Sequence, residues 1–118
     1  MGNATKKAVI YCRVACQKQH SALVWQADQC RAYAEAHGYE VTEVLYDNGV
    51  SGTSTKRPGL LKLLDAIFAE SEPQTLITLS ISRLGRNWDD CRALCRSIEE
   101  RGAKLLFVEH ANPFGESA

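Results

Sequence analysis

The chain has 118 residues, 45% of them hydrophobic and 24% charged, proportions that fit one soluble globular domain and exclude a disordered chain, a collagen-like repeat or a coiled coil. Fourteen Lys and Arg balance 14 Asp and Glu, so contact with nucleic acid has to come from a local basic site and not from a globally positive surface. No stretch approaches the roughly 20 apolar residues of a membrane span, and no signal peptide is visible at the start, so the chain reads as cytoplasmic with no membrane partner.

In chain order, residues 8–14 are short, apolar and β-branched and read as a buried strand. Ser21 is expected to cap a helix over 22–37, with Leu23, Ala27, Cys30 and Ala34 on its inner face and Gly38 just past its end. A second strand over 41–46 is closed by Asp47-Asn48-Gly49, and a polar loop covers 50–57. Pro58 suits the first turn of a helix running to about residue 70, with Leu60, Leu61, Leu64, Ile67 and Phe68 facing inward. A third strand follows at 75–80, a third helix at 88–101 with Cys91, Leu94, Cys95 and Ile98 inward, then Gly102 and a fourth strand at 104–109.

The five cysteines, Cys12, Cys16, Cys30, Cys91 and Cys95, are odd in number and contain no Cys-x-x-Cys spacing, while His20, His37 and His110 are scattered. Reduced thiols packed in a core, with no metal site, are the expectation. The βαβαβαβ alternation implies an α/β fold of the flavodoxin-like three-layer kind: a mainly parallel sheet of at least four strands with helices on both faces. Ligands on such sheets bind in the loops beyond the carboxyl ends of the strands.

Those loops are rich in arginine. The first strand ends in Arg13, the second leads through Asp47 and Ser51 to Arg57, and the third leads through Ser82 to Arg83 and Arg86. One such arginine alone reads as a solvated charge; four at one sheet edge suit a polyanion, because guanidinium forks bind phosphate bidentately. No glycine-rich nucleotide loop follows the first strand, which argues against a nucleotide cofactor.

Five blocks in this order carry a resemblance: Tyr11-Cys12-Arg13-Val14; Gln19 and Gln26; Tyr46-Asp47-Asn48-Gly49-Val50-Ser51-Gly52; Arg57-Pro58-Gly59-Leu60; and Ser82-Arg83-Leu84-Gly85-Arg86-Asn87. Together, over roughly residues 8–109, they resemble the catalytic domain of the serine recombinases, the family of resolvases, invertases and large phage-type integrases. The resemblance implies site-specific DNA recombination through a 5′-phosphoserine intermediate, with no metal and no cofactor. It gives Arg13, Arg57, Arg83 and Arg86 the role of binding the DNA phosphate and stabilising charge on it, and gives Asp47 and Gln26 the role of shaping the pocket, supported by Tyr11, Gln19, Ser51 and Ser82.

Two departures from the family pattern stand out. Ala15 occupies the position of the nucleophilic serine, and a methyl group cannot attack phosphorus, so the chain as written is expected to be inactive in cleavage. Cys16 is a rival nucleophile one residue on, disfavoured because a phosphothiol is an unusual intermediate. Ser82 stands where many relatives have Asp. Ala15 is open to two explanations, an engineered Ser-to-Ala change or a natural silent relative that acts as a binding or regulatory subunit. The family's long synapsis helix and C-terminal DNA-reading domain have no counterpart in residues 1–118, which read as one catalytic domain, with dimers and tetramers belonging to full-length relatives and weak or no association expected here. An unrelated anion-binding α/β domain is the remaining alternative.

Overall fold

The computed structural model describes residues 6–14, 20–48, 59, 61–62, 64–65, 75–84, 88–111 and 113. Strand β1 (Lys6–Val14) is exposed at its first two residues and buried at the other seven. Such burial requires cover on both faces and both edges. The neighbouring strands are β2 (Tyr39–Asn48) on one side and β3 (Thr75–Thr78) on the other, both parallel to β1, and β4 (Leu105–Phe107) pairs parallel with β3. The strand order is β2-β1-β3-β4, the expected α/β architecture.

Alternation along β1 feeds two cores. Ala8, Ile10, Cys12 and Val14 pack against helix α1 (His20–Ala36), which contributes Leu23, Ala27, Cys30 and Ala34, all buried. Val9 and Tyr11 face the other way, into a core shared with the short helix α2 (Ile81–Leu84) and helix α3 (Trp88–Glu100) through Leu84, Cys91, Cys95 and Ile98. Cys12, Cys30, Cys91 and Cys95 are buried free thiols. Burial pushes the thiols of Cys12, Cys30 and Cys95 up to about 12, because a thiolate would lose its hydration there.

Both long helices end on a glycine with positive φ, Gly38 at 78° and Gly102 at 89°. At α3 the Ala103 amide donates to Ile98 O at 3.2 Å and the Gly102 amide to Glu99 O at 3.0 Å, the paired bonds of a Schellman stop. At the other end Asp89 and Asp90 lie in the first turn, where carboxylates favour the helix dipole.

The register of β2 contains one irregularity with a large effect. Ala8 pairs with Val41, but Val9 pairs with Glu43, so Thr42 is an extra residue, and its hydroxyl donates to Ala8 O at 3.3 Å. Before this bulge Tyr39 and Val41 pack on the α1 side, and after it Val44 does, while Leu45 packs on the opposite side. The bulge absorbs Thr42, so odd-numbered positions face α1 before it and the opposite side after it. Asp47 shares the parity of Leu45 and lands beside Tyr11.

Several sequence expectations shift. Helix α1 starts at His20, so Ser21 lies inside the first turn and not at the cap, where the backbone is non-helical. β2 includes Asp47 and Asn48, paired with Arg13 and Val14 and not turning away. β3 and β4 are shorter than expected, although Val108 and Glu109 amides still donate to Thr78 O and Leu79 O at 3.0 Å each. α2 occupies a stretch read as loop. Gly59, Leu61, Lys62, Leu64 and Asp65 are helical, but Leu61 is exposed and does not face inward; the rest of the helix expected after Pro58, and the loop over 50–57, lie outside the described residues.

Candidate active site

The site grows from the point where the sheet's connections diverge. From β1 the chain moves to β2 on one side and later to β3 on the other, and this divergence opens a crevice at the carboxyl ends of β1 and β3. Pairing of β1 with β3 stops at Tyr11 opposite Thr78, whose hydroxyl donates to Tyr11 O at 2.8 Å. β1 continues three residues further. There the side-chain amide of Gln26 takes over from the missing strand: Arg13 N–H donates to Gln26 Oε1 at 3.2 Å, and Gln26 Nε2 donates to Arg13 O at 3.1 Å. Gln26 is 1% exposed on α1, so these two main-chain groups have no access to water and the amide satisfies both.

The guanidinium of Arg13, also buried, crosses to the turn after β3. Its Nη2 donates to Ser82 O at 2.7 Å and its Nε to Arg83 O at 3.0 Å. These are charge-assisted bonds in a fixed fork, so Arg13 holds the segment that carries Ser82 and Arg83. Ser80 and Ser82 hydroxyls are 2.8 Å apart. On the other side of β1, Asp47 is 2% exposed and accepts from Tyr11 Oη at 2.7 Å and from the Gly59 amide at 2.7 Å, through different carboxylate oxygens. This draws the start of the second helical segment onto the end of β2.

Gly59 fits no other residue here. A Cβ would stand 2.5 Å from Tyr46 O and 2.9 Å from Asp47 Oδ1, and the first of these is backbone that cannot swing aside. Of the residues singled out in the sequence, the structure gathers Tyr11, Arg13, Gln26, Asp47, Ser82 and Arg83 at this edge. Ala15, Gln19, Ser51, Arg57 and Arg86 lie outside the described residues. Gly59, Thr42 and His110 were not legible as site residues, although the Arg57-Pro58-Gly59 block held one of them. Among the described residues, no cluster of His, Cys, Asp and Glu could hold a metal ion, and no helix is long and apolar enough to cross a membrane.

A parallel three-layer domain with a buried polar cluster at its switch point belongs to the doubly wound class, here with arginine and no glycine-rich nucleotide loop beside the first strand. The chain belongs to the resolvase N-terminal domain family, whose model matches residues 8–117. It is similar to the transposon Tn552 resolvase of Staphylococcus aureus, 33% identical over 99 residues that make up 84% of this chain and 44% of that protein. It is also similar to the DNA-invertase of Enterobacteria phage P7, 32% identical over 92 residues, 78% of this chain and 43% of that protein. The chain thus spans under half the length of these relatives. Among solved structures, the catalytic domain of ISC1926 TnpA, an IS607-like serine recombinase, superposes with a TM-score of 0.79 at 34% identity, covering 89% of this chain and 71% of that one. The N-terminal catalytic domain of TP901-1 integrase gives a TM-score of 0.79 at 26% identity, covering 90% and 80%.

Proposed function

We propose that the chain is the catalytic domain of a site-specific DNA recombinase, with its nucleophile position occupied by Ala15. The observation that carries this reading is the gathering of Tyr11, Arg13, Gln26, Asp47, Ser82 and Arg83 at one sheet edge in a chain of the resolvase family. In the reaction implied, a serine hydroxyl attacks a DNA phosphodiester. The Oγ–P bond forms as the P–O3′ bond breaks, the hydroxyl proton departs, and the 3′ oxygen takes a proton. Because the bond energy stays in the phosphoserine link, the reverse attack reseals the strand without nucleotide or metal.

Arg13, Arg57, Arg83 and Arg86 supply positive charge to the phosphorus in transit, the preorganised electrostatics on which such reactions rely. Arg13 adds a second role by fixing the turn that bears Arg83. The partners are DNA and, in the longer proteins of the family, further copies arranged as dimers and tetramers; the compartment is the cytoplasm. With Ala15 there is no oxygen to attack, so the chain binds the phosphate without cleaving. A second reading, a silent subunit that pairs with active recombinase copies, rests on Ala15 itself.

The test is Ala15→Ser, incubated with supercoiled DNA carrying the sequences that flank its own gene. A protease-sensitive covalent protein–DNA adduct is expected from the Ser variant, none from the parent chain, and none when Arg83→Ala is added. A folded, DNA-bound Ser variant that forms no adduct would remove the assignment of position 15. A source gene that encodes Ser there would eliminate the silent-subunit reading.

A further inference from the structure

His110 follows β4 and reaches the start of α2. Its Nε2 accepts the Ile81 N–H at 3.1 Å, and its Nδ1 meets Ala111 O at 2.8 Å. An amide N–H can only donate and a carbonyl can only accept, so these partners together specify the neutral ring with its proton on Nδ1. Phe107 stacks on the ring with centroids 4.8 Å apart, which restricts its rotation. Arg13 grips the same turn from the other side through Ser82 O and Arg83 O. With four residues, α2 is too short to hold its own shape; its position is set by these braces and by Cys91, whose Sγ lies 3.8 Å from Ile81 O.

We propose that His110 is a positioning residue of the site: its neutral ring holds the Ile81 amide, and with it the turn carrying Ser82 and Arg83, so that protonating the ring releases the turn and weakens anion binding there. The proposal rests on the reading of that turn as part of a phosphodiester site. A protonated imidazole carries N–H on both nitrogens, so Nε2 then opposes the Ile81 N–H donor to donor. Among the titratable and charged groups on the surrounding described elements are Glu109 beside it in the chain, Lys104 ahead of β4, Arg83 on α2, Arg13 on β1, and Asp89, Asp90 and Cys91 on α3. Charge alone predicts the opposite sign, because a cation added near Arg83 attracts an anion. The direction of the pH effect therefore separates positioning from simple electrostatics.

The experiment follows the amide NMR resonances of the chain and the His110 ring signals between about pH 8 and 5, with sulfate as a non-titrating anion probe. Ile81, Ser82 and Arg83 amides should move together with the His110 ring, and sulfate should bind about three- to tenfold more weakly at the acid end, the worth of one ordinary hydrogen bond. His110→Gln keeps a neutral acceptor that does not titrate, so both responses should flatten, and His20 and His37 are thereby excluded as their source. His110→Ala should hold the weaker affinity at every pH. Amides that ignore the His110 titration, or sulfate that tightens on acidification, would overturn the proposal. Sulfate that perturbs nothing at any pH while the amides still titrate would overturn the phosphodiester reading of the turn, and the role of His110 with it.

Discussion

The hydroxyl of Tyr11 reaches the carboxylate of Asp47 at 2.7 Å, and it does so because β2 bulges at Thr42 and leaves that residue out of the ladder. Were Thr42 paired as an ordinary ladder residue, Asp47 would keep the parity of Tyr39 and Val41 and face α1. The contact is thus set five residues upstream, by a register device, and the same carboxylate carries the order on to the Gly59 amide.

Removing the hydroxyl with Tyr11→Phe leaves one oxygen of a buried carboxylate without this donor. A loss of about 1–3 kcal/mol is expected, read as a lower midpoint in urea with an unchanged slope. A change below about 0.5 kcal/mol, the scale of ordinary surface substitutions, would show that the bond contributes nothing net.

Thr42 offers two graded changes. Thr42→Val removes the hydroxyl bond to Ala8 O but keeps the extra residue, and should cost about 0.5–1.5 kcal/mol. Deleting Thr42 places Glu43 directly after Val41, restores a regular ladder and keeps Leu45 and Asp47 on their present faces, so it should cost no more than about 1.5 kcal/mol. A deletion that costs about 4 kcal/mol or more would contradict the register argument.

Gln26→Leu keeps an apolar contact on α1 but removes both bonds that Gln26 makes to Arg13 N–H and Arg13 O. At about 1–3 kcal/mol for each abandoned group, the expected loss is about 2–6 kcal/mol by thermal or chemical unfolding. Gln26→Glu can still accept from the amide but faces Arg13 O with no donor, so it should fall between Leu and the parent; a Glu variant as stable as the parent would refute this account.

Gly59→Ala and Gly38→Ala separate space from conformation. At Gly38 nothing lies within 4 Å of the added Cβ and only the positive φ is strained, a cost of about 1 kcal/mol. At Gly59 the methyl meets rigid backbone at 2.5 Å, so the loss should be larger, about 1–3 kcal/mol or more. It should also shift the Asp47 and Tyr46 amide resonances, which Gly38→Ala should leave in place.

The buried thiols predict an alkaline limit. Cys12, Cys30 and Cys95 stay protonated in the fold up to about pH 12, against 9.0 for the ordinary thiol. Between those values the unfolded chain has released protons that the folded chain still binds, so stability falls as pH rises through this window and is fully present below it. Fluorescence-monitored unfolding from pH 8 to 12 should show the decline, and replacing Cys30 by Ser, with its own lower baseline, should make it shallower. A slope indifferent to Cys30 would point to other groups.

Much of the architecture was legible because it follows short rules. Leu23, Ala27, Cys30 and Ala34 recur at helical spacing, and Gly38 and Gly102 stop helices at places only glycine accepts easily. The apolar run of β1 announced a strand buried on both faces. What escaped is non-local. The bulge at Thr42 is defined only against Ala8 and Val9 on another strand, and the Tyr46 backbone that excludes a side chain at Gly59 is brought there by folding. Gln26 could be named from its block, but its pairing with Arg13 main chain depends on how far β3 extends. His110 had no local signal at all.

The Gln26 pairing has a mechanical consequence. On its β2 edge the end of β1 is joined to the sheet, but on the edge where pairing with β3 has stopped Arg13 is coupled to a helix. Displacing α1 as a body would pull on Arg13 backbone directly through two hydrogen bonds, whereas displacing β3 would not. The end of β1 is therefore tied to its neighbouring layer, and the geometry at this edge of the sheet follows where that helix sits.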